Sequence, residues 1–270
     1  MDTLETINPL VVIKGAGDLA TGVAYRLFRS GFPIVMTELP LPTAIRLPVA
    51  FAAAIYDGTI TVEGVTAVRT EPAVAAAVAG QGRIAVVVDP QGMAVQALRP
   101  WAVVDAVMAK RNTGTGPADA PVVVALGPGF TAGVDVRYVI ETARGHYLGR
   151  VIEQGGALPD TGQPGEVGGR TAERLLRAPG DGVFRAVRAI GDSIAAGETV
   201  GRVAGLPVRA AIGGMLRGLI HDGLEVAAGR KIGDVDPRGL REYCFTISDK
   251  ARAVGGGVLE ALLAARTEPV

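Results

Sequence analysis

The sequence predicts an α/β fold: a Rossmann-like doubly wound parallel sheet, then a small all-β domain, then a C-terminal helix. Three observations carry that expectation. Residues 11–38 spell a strand, a glycine turn, a helix and a second strand; apolar runs then alternate with helix candidates as far as residue 128; and a glycine-punctuated stretch between 178 and 235 repeats itself.

Taken in order, "LVVIKG" (10–15) is a run of β-branched residues of the kind buried on both faces of a sheet. "DLATGVAYRLFRSG" (18–31) places Leu19, Val23 and Leu27 on one broad apolar helical face, with Gly31 where a helix C′ residue belongs. "FPIVMTE" (32–38) returns as a strand, so residues 10–38 form a right-handed βαβ unit. "RIAVVVDP", "WAVVDAV" and "APVVVALGP" read as further strands, and "TAIRLPVAFAAAIYDG" and "EPAVAAAVAG" as helices. "GTITVEGVTAVRT" reads as a small hairpin or edge strand.

Gly15, Gly17 and Ala20 match a dinucleotide fingerprint, and Glu38 stands where a ribose-binding carboxylate is expected. Small residues there let backbone N–H groups and a helix N-terminus approach a pyrophosphate. Asp18 sits inside the motif at an N-cap position, where its carboxylate complements the helix dipole and repels phosphate. Two readings therefore stand side by side: nucleotide binding, or a tight strand-to-helix turn capped by Asp18.

Residues 178–203 and 210–235 align without a gap at an offset of 32, matching Gly182 with Gly214, Gly191 with Gly223, Gly197 with Gly229 and Gly201 with Gly233. Two such units cannot each bury a core alone, but interlocked they cover each other's apolar faces. The pattern resembles the half-motifs of the biotinyl/lipoyl-like barrel-sandwich hybrid. The junction "VAGLPVRA" (203–210) has no lysine for a carrier's covalent biotin or lipoate. The expected limits are 10–135 for the α/β domain, 136–177 for a connecting segment, 178–237 for the β domain and 238–270 for a C-terminal strand and helix packing back on the α/β part.

Composition narrows the function. Lys+Arg and Asp+Glu number 27 each with no run of like charge, which argues against nucleic acid. No apolar stretch is long enough to span a bilayer, and "MDTLETINP" is acidic where a secretory signal is basic, so a soluble cytoplasmic protein is expected. One cysteine, Cys244 in "YCFTIS", and two histidines, His146 and His221, exclude a disulfide framework and make a metal site a poor expectation. Tyr243 and Phe245 beside it suggest a buried, inert strand. His146, in the long block "ALGPGFTAGVDVRYVIETARGHYLGRV", is either a general base or a structural residue. "SDKARAVGGGVLEALL" (248–263) begins a helix capped by Ser248 and Asp249. Its three glycines mean that the helix restarts or that a backbone packs tightly there.

"IKGAGDLATGVAYRLFRSGF", "VMTELPLPTAIRLPVAF", "VDAVMAKRN", the long middle block, "IGDVDPR" and "SDKARAVGGGVLEALL" together resemble the YqeB family, the selenium-dependent molybdenum hydroxylase system proteins, over nearly the whole chain. The resemblance implies an accessory role in maturing or inserting the molybdenum cofactor of a selenium-dependent hydroxylase. A small-molecule cofactor of nucleotide or molybdopterin dinucleotide type and an apo-hydroxylase would be the partners, with oligomeric state open. It implies family motif positions at Gly15, Gly17, Asp18, Gly129, Glu141, Arg144, His146, Asp249 and Lys250, none with an established catalytic role. The competing expectation is an NAD-dependent oxidoreductase using His146 or Lys110 as acid/base.

Overall fold

In the computed structural model, residues 9–267 are described; the acidic opening stretch lies outside them. The α/β part runs β1 (Val11–Lys14), α1 (Asp18–Arg29), β2 (Ile34–Glu38), α2 (Ala54–Asp57), β3 (Thr59–Val62), β4 (Val65–Arg69), α3 (Ala75–Gly80), β5 (Ile84–Val88), α4 (Met93–Leu98), β6 (Ala102–Asp105), β7 (Val122–Leu126), β8 (Tyr138–Ile140) and β9 (Val151–Ile152). These nine strands form one sheet in the order β3-β4-β5-β2-β1-β6-β7-β8-β9. β4 to β8 in that order are parallel neighbours, while β3 and β9 close the two edges antiparallel.

The all-β part follows as β10 (Leu175–Arg177), β11 (Gly182–Ala186), β12 (Ser193–Ile194), β13 (Thr199–Val203), β14 (Leu206–Arg209), β15 (Gly214–Leu219), β16 (Glu225–Val226) and β17 (Lys231–Asp236); α5 (Asp249–Thr267) ends the described chain. It makes two four-stranded antiparallel sheets, β10-β17-β15-β12 and β14-β13-β11-β16.

This arrangement corrects the predicted fold class. The large sheet is mixed rather than a doubly wound parallel one. The connections β6–β7 and β7–β8 carry no helix, because "GTGPADAP" and "GPGFTAG" crowd glycine and proline where a helix would need to propagate. The all-β part is two distinct sheets rather than the biotinyl/lipoyl-like domain expected. Residues 43–58, expected as one helix, form two short 3-10 turns and the single turn of α2, since Pro48 interrupts the run. Cys244 closes a 3-10 turn (Arg241–Cys244) and not a strand.

The 32-residue repeat has a clear structural counterpart. β11 and β15, β12 and β16, and β13 and β17 begin at equivalent places in the two copies. Gly182 and Gly214, Gly191 and Gly223, and Gly197 and Gly229 all adopt positive φ, which explains why the glycines recur as pairs. The copies exchange their shortest strands: β12 pairs with β15 and β16 with β11. Phe184, Ile194 and Val200 of one copy share a core with Leu216, Val226 and Ile232 of the other.

On the large sheet, α1 and α5 pack against one face with Ile13, Ile34 and Val104, and α3 and α4 cover the other with Val12, Val35 and Val103. α5 thus covers strands whose own connections supply no helix. It fits only because the contact is glycine-lined: a Cβ on Gly22 would lie 2.6 Å from Ala251 Cβ, and one on Gly255 2.6 Å from Gly22 O. Gly257 faces the chain after β8, where a Cβ would collide with Gly149 O, whereas Gly256 has open space. α5 therefore runs unbroken through its three glycines, two of which are required by close backbone approach.

This distinction is measurable by urea denaturation. Gly257→Ala is expected to destabilise by about 1–3 kcal/mol through overpacking. Gly256→Ala is expected to stabilise by up to about 1 kcal/mol through helix propensity. Equal effects of the two substitutions would contradict the packing described.

Candidate functional site

The carboxyl ends of β1, β2, β6, β7 and β8 converge with the first turns of α1 and α5. At the end of β1, Gly15 turns the chain with φ +90, and a Cβ there would lie 3.1 Å from Ala106 O. Gly17 is the N-cap of α1 and has open space around it; Asp18 is the first helical residue rather than the cap. Ala20 is buried against the sheet and faces no cleft.

Glu38, expected to hold a ribose, already serves the chain. Its Oε2 accepts from Ala16 N–H at 2.9 Å and its Oε1 from Leu39 N–H at 2.8 Å. A carboxylate oxygen has two lone pairs, so a hydroxyl could still donate to it, but one backbone N–H of the turn is spent on the protein's own carboxylate. Asp18 is also engaged: its Oδ2 accepts from Arg46 Nη1 at 2.8 Å. Arg46 Nη2 donates at 3.0 Å to Tyr243 O and to Thr246 O, and Arg46 is only 5% exposed.

Apart from Gly129, the remaining predicted residues lie on the loop after β8 and at the start of α5. Glu141 is buried and accepts from Ala143 N–H at 2.7 Å and Leu158 N–H at 2.8 Å. Arg144 makes a two-armed contact with Asp249, at 2.9 and 3.2 Å, which holds that carboxyl below the usual carboxylate range. Ser248 Oγ accepts from Ala251 N–H at 3.2 Å and caps the helix. Lys250 is half-buried and, among the described residues, has no hydrogen bond or ion pair for its ammonium. Burial, then Arg144, push the amine down, and Asp18, Glu141 and Asp249 pull it back up. The structure thus brings Asp18, Glu141, Arg144, Asp249 and Lys250 into one electrostatic neighbourhood.

It leaves the others out. Gly129 has φ +108, and a Cβ there would lie 2.6 Å from Arg111 Cα, so it pins one loop to another. His146 is exposed, its ring edge-on to Tyr147 with centroids 5.0 Å apart. Lys110 is tied at the surface to Asp160 at 2.5 Å. Cys244 is buried, and burial pushes its thiol up, away from reactivity. Among the described residues no His, Cys, Asp and Glu side chains cluster as a metal site, and no helix is long and apolar enough to cross a membrane.

Residue-by-residue reading of the sequence missed three features. Arg46 is one; a lone arginine inside the apolar "AIRLPV" was the available signal. The second is a relay beneath the turn, in which Lys14 Nζ donates to Thr115 Oγ1 (2.9 Å) and Asp119 Oδ2 (2.8 Å), and Thr115 Oγ1 donates to Asp105 Oδ2 (2.6 Å). The third is a groove of about 730 Å³ beside β9, lined by Glu141, Tyr147, Arg150, Glu153, Gln154 and Leu158 among others.

Comparison with known proteins gives a close relative. The chain is 51% identical over 257 residues, 95% of its length, to a protein of Escherichia coli (strain K12) named "Uncharacterized protein YqeB". The likeness to YqeB runs along nearly the whole of this chain. It spans about half, 48%, of that relative's length. No family model matches. Solved structures with some likeness are a succinylglutamate desuccinylase/aspartoacylase from Rhodobacter sphaeroides (17% identity, 84% of this chain and 85% of that one, TM-score 0.28) and an aspartoacylase family protein from Mesorhizobium loti (11%, 84% and 85%, TM-score 0.28). A third is the ectoine utilization protein EutE from Ruegeria pomeroyi (12%, 84% and 52%, TM-score 0.22). Superposition this loose carries no functional inference.

The state of Lys250 sets a pH signature. With its folded-state pKa lowered, the unfolded chain holds the extra proton between that value and the ordinary lysine value of about 10.4, so stability rises with pH across the window and the cost is full below it. Lys250→Met is therefore expected to be more stable than the parent at neutral pH, with the gap closing by about pH 10. Urea unfolding at both pH values checks this; a gap that widens with pH would show the amine is not penalised.

Proposed function

We propose that this chain is a non-hydrolytic cofactor-handling protein. It holds an anionic ligand of nucleotide or molybdopterin-dinucleotide type and acts in maturing or inserting the molybdenum cofactor of a selenium-dependent molybdenum hydroxylase. The observation that carries the ligand part is Lys250: an ammonium without a direct counter-ion, beside the Arg144–Asp249 pair and at the meeting of two helix N-termini. Because Glu38 already occupies the N–H of Ala16, the anion belongs nearer Lys250 than the centre of the glycine turn. The molybdenum part rests on the YqeB resemblance of the sequence alone; the Escherichia coli relative, about twice the length of this chain, supports that likeness and says nothing of molybdenum.

Handling is favoured over catalysis because the candidate acids and bases lack positioned partners. His146 stands exposed without a carboxylate, and Lys110 is committed to Asp160. No observation favours the oxidoreductase alternative.

Calorimetric titration with pyrophosphate and with a molybdopterin preparation tests the reading. Binding of both is expected, weakened about tenfold in Lys250→Met, equivalent to ~1.4 kcal/mol. Mixing the ligand-loaded chain with an apo-hydroxylase should raise hydroxylase activity above that given by free cofactor. No heat with either ligand at millimolar concentration would remove the proposal.

A further inference from the structure

Glu141 belongs to two places at once. Its carboxylate lies within electrostatic reach of Lys250, and its side chain also lines the groove beside β9. The loop between them is a strap with fixed legs. Glu141 N–H donates to Arg150 O at 2.9 Å, and Gly149 N–H to Glu141 O at 2.9 Å. Gly149 presses on α5, where a Cβ would lie 2.6 Å from Ala253 O. One part of the strap carries Arg144 to Asp249, next to Lys250; another carries Tyr147 to the groove.

The groove has the parts of a small-molecule site. Its volume of about 730 Å³ falls inside the range of roughly 300–1,000 Å³ usual for such sites. Tyr147 is 52% exposed, with the Arg150 guanidinium 5.3 Å from its ring centroid, and among the described residues its hydroxyl has no hydrogen-bond partner. Exposed Leu158 adds an apolar wall. Glu153 and Gln154 stand exposed with side chains that bond to nothing else in the described chain. β9 is only two residues long, Val151–Ile152, too short an edge to recruit an extended peptide by strand addition.

We infer that this groove seats a planar, amino-bearing heterocycle whose phosphate end is held at Lys250, so that the site takes a heterocycle–phosphate conjugate of the nucleoside diphosphate class. The heterocycle stacks on Tyr147, and its exocyclic amino group donates to Glu153. The inference rests on the anion reading of Lys250 and adds the identity of the ligand's other end.

Calorimetry with pyrophosphate, ADP and IDP separates the two. ADP and IDP carry the same sugar and phosphates; only ADP has the amino group. On the intact chain ADP is expected to bind at least tenfold tighter than pyrophosphate and more tightly than IDP. Tyr147→Ala should bring ADP down to the pyrophosphate level without changing pyrophosphate itself, and Glu153→Gln should erase the preference for ADP over IDP. Both side chains are exposed, so circular dichroism of each variant should match the parent. If pyrophosphate binds through Lys250 and ADP binds no tighter, or its advantage survives Tyr147→Ala, the heterocycle site is wrong and the anion site stands. If ADP binds through Tyr147 while pyrophosphate fails and Lys250→Met changes nothing, the two-ended ligand is overturned together with the anion reading.

Discussion

The architecture depends on one buried guanidinium. Arg46 sits between the β2 connection, the first turn of α1 and the segment that leads into α5, and binds the last two through Asp18, Tyr243 and Thr246. Its neighbour Ile45 accepts from Leu219 N–H of β15 at 2.7 Å, so the same few residues moor the all-β part to the large sheet. A charge this deeply buried is tolerable only where nearly every donor finds an acceptor. Here, among the described residues, Arg46 Nε and Asp18 Oδ1 are left without hydrogen-bond partners. The contact is thus better understood as fixing which surfaces meet than as a large source of stability.

That mooring also defines the chemistry of the cleft. The protein places its own carboxylates, Asp18 and Asp249, at the starts of α1 and α5, where the helix dipoles favour negative charge. With Glu38 on the N–H of Ala16, the acceptors nearest the glycine turn are internal ones. Lys250 is the exception in this balance, since its charge is felt by Asp18, Glu141 and Asp249 without being paired to any of them.

Elements with a strong local signal were legible in the sequence. β1, α1 and β2 follow from apolar periodicity and from Gly31, and the start of α5 from Ser248, whose hydroxyl does cap it. The repeat was legible because positive φ restricts residue choice, leaving paired glycines as its trace. The fold class was not, since it depends on tertiary facts: connections that omit their helices, edges that turn antiparallel, and a helix that covers strands distant in sequence. The site was half legible. Composition and spacing mark Glu38 as a carboxylate at a strand end, but cannot say whether a ribose or a backbone N–H takes its oxygens. Arg46 makes contacts spanning 197 and 200 residues, and such partners leave no local pattern.

The glycine-lined seat of α5 has a consequence for how the molecule comes into being. Arg26 Nη2 reaches Arg252 O across 226 residues of chain, so the face of the sheet that α1 shares with α5 stays open until almost everything between them has been made. Contacts of such separation slow folding, and an uncovered sheet face is the kind of surface that neighbouring chains adhere to. During synthesis this protein therefore presents a vacant apolar berth for an extended period. Its yield in a cell should depend on how quickly α5 arrives relative to other hydrophobic segments competing for the same place.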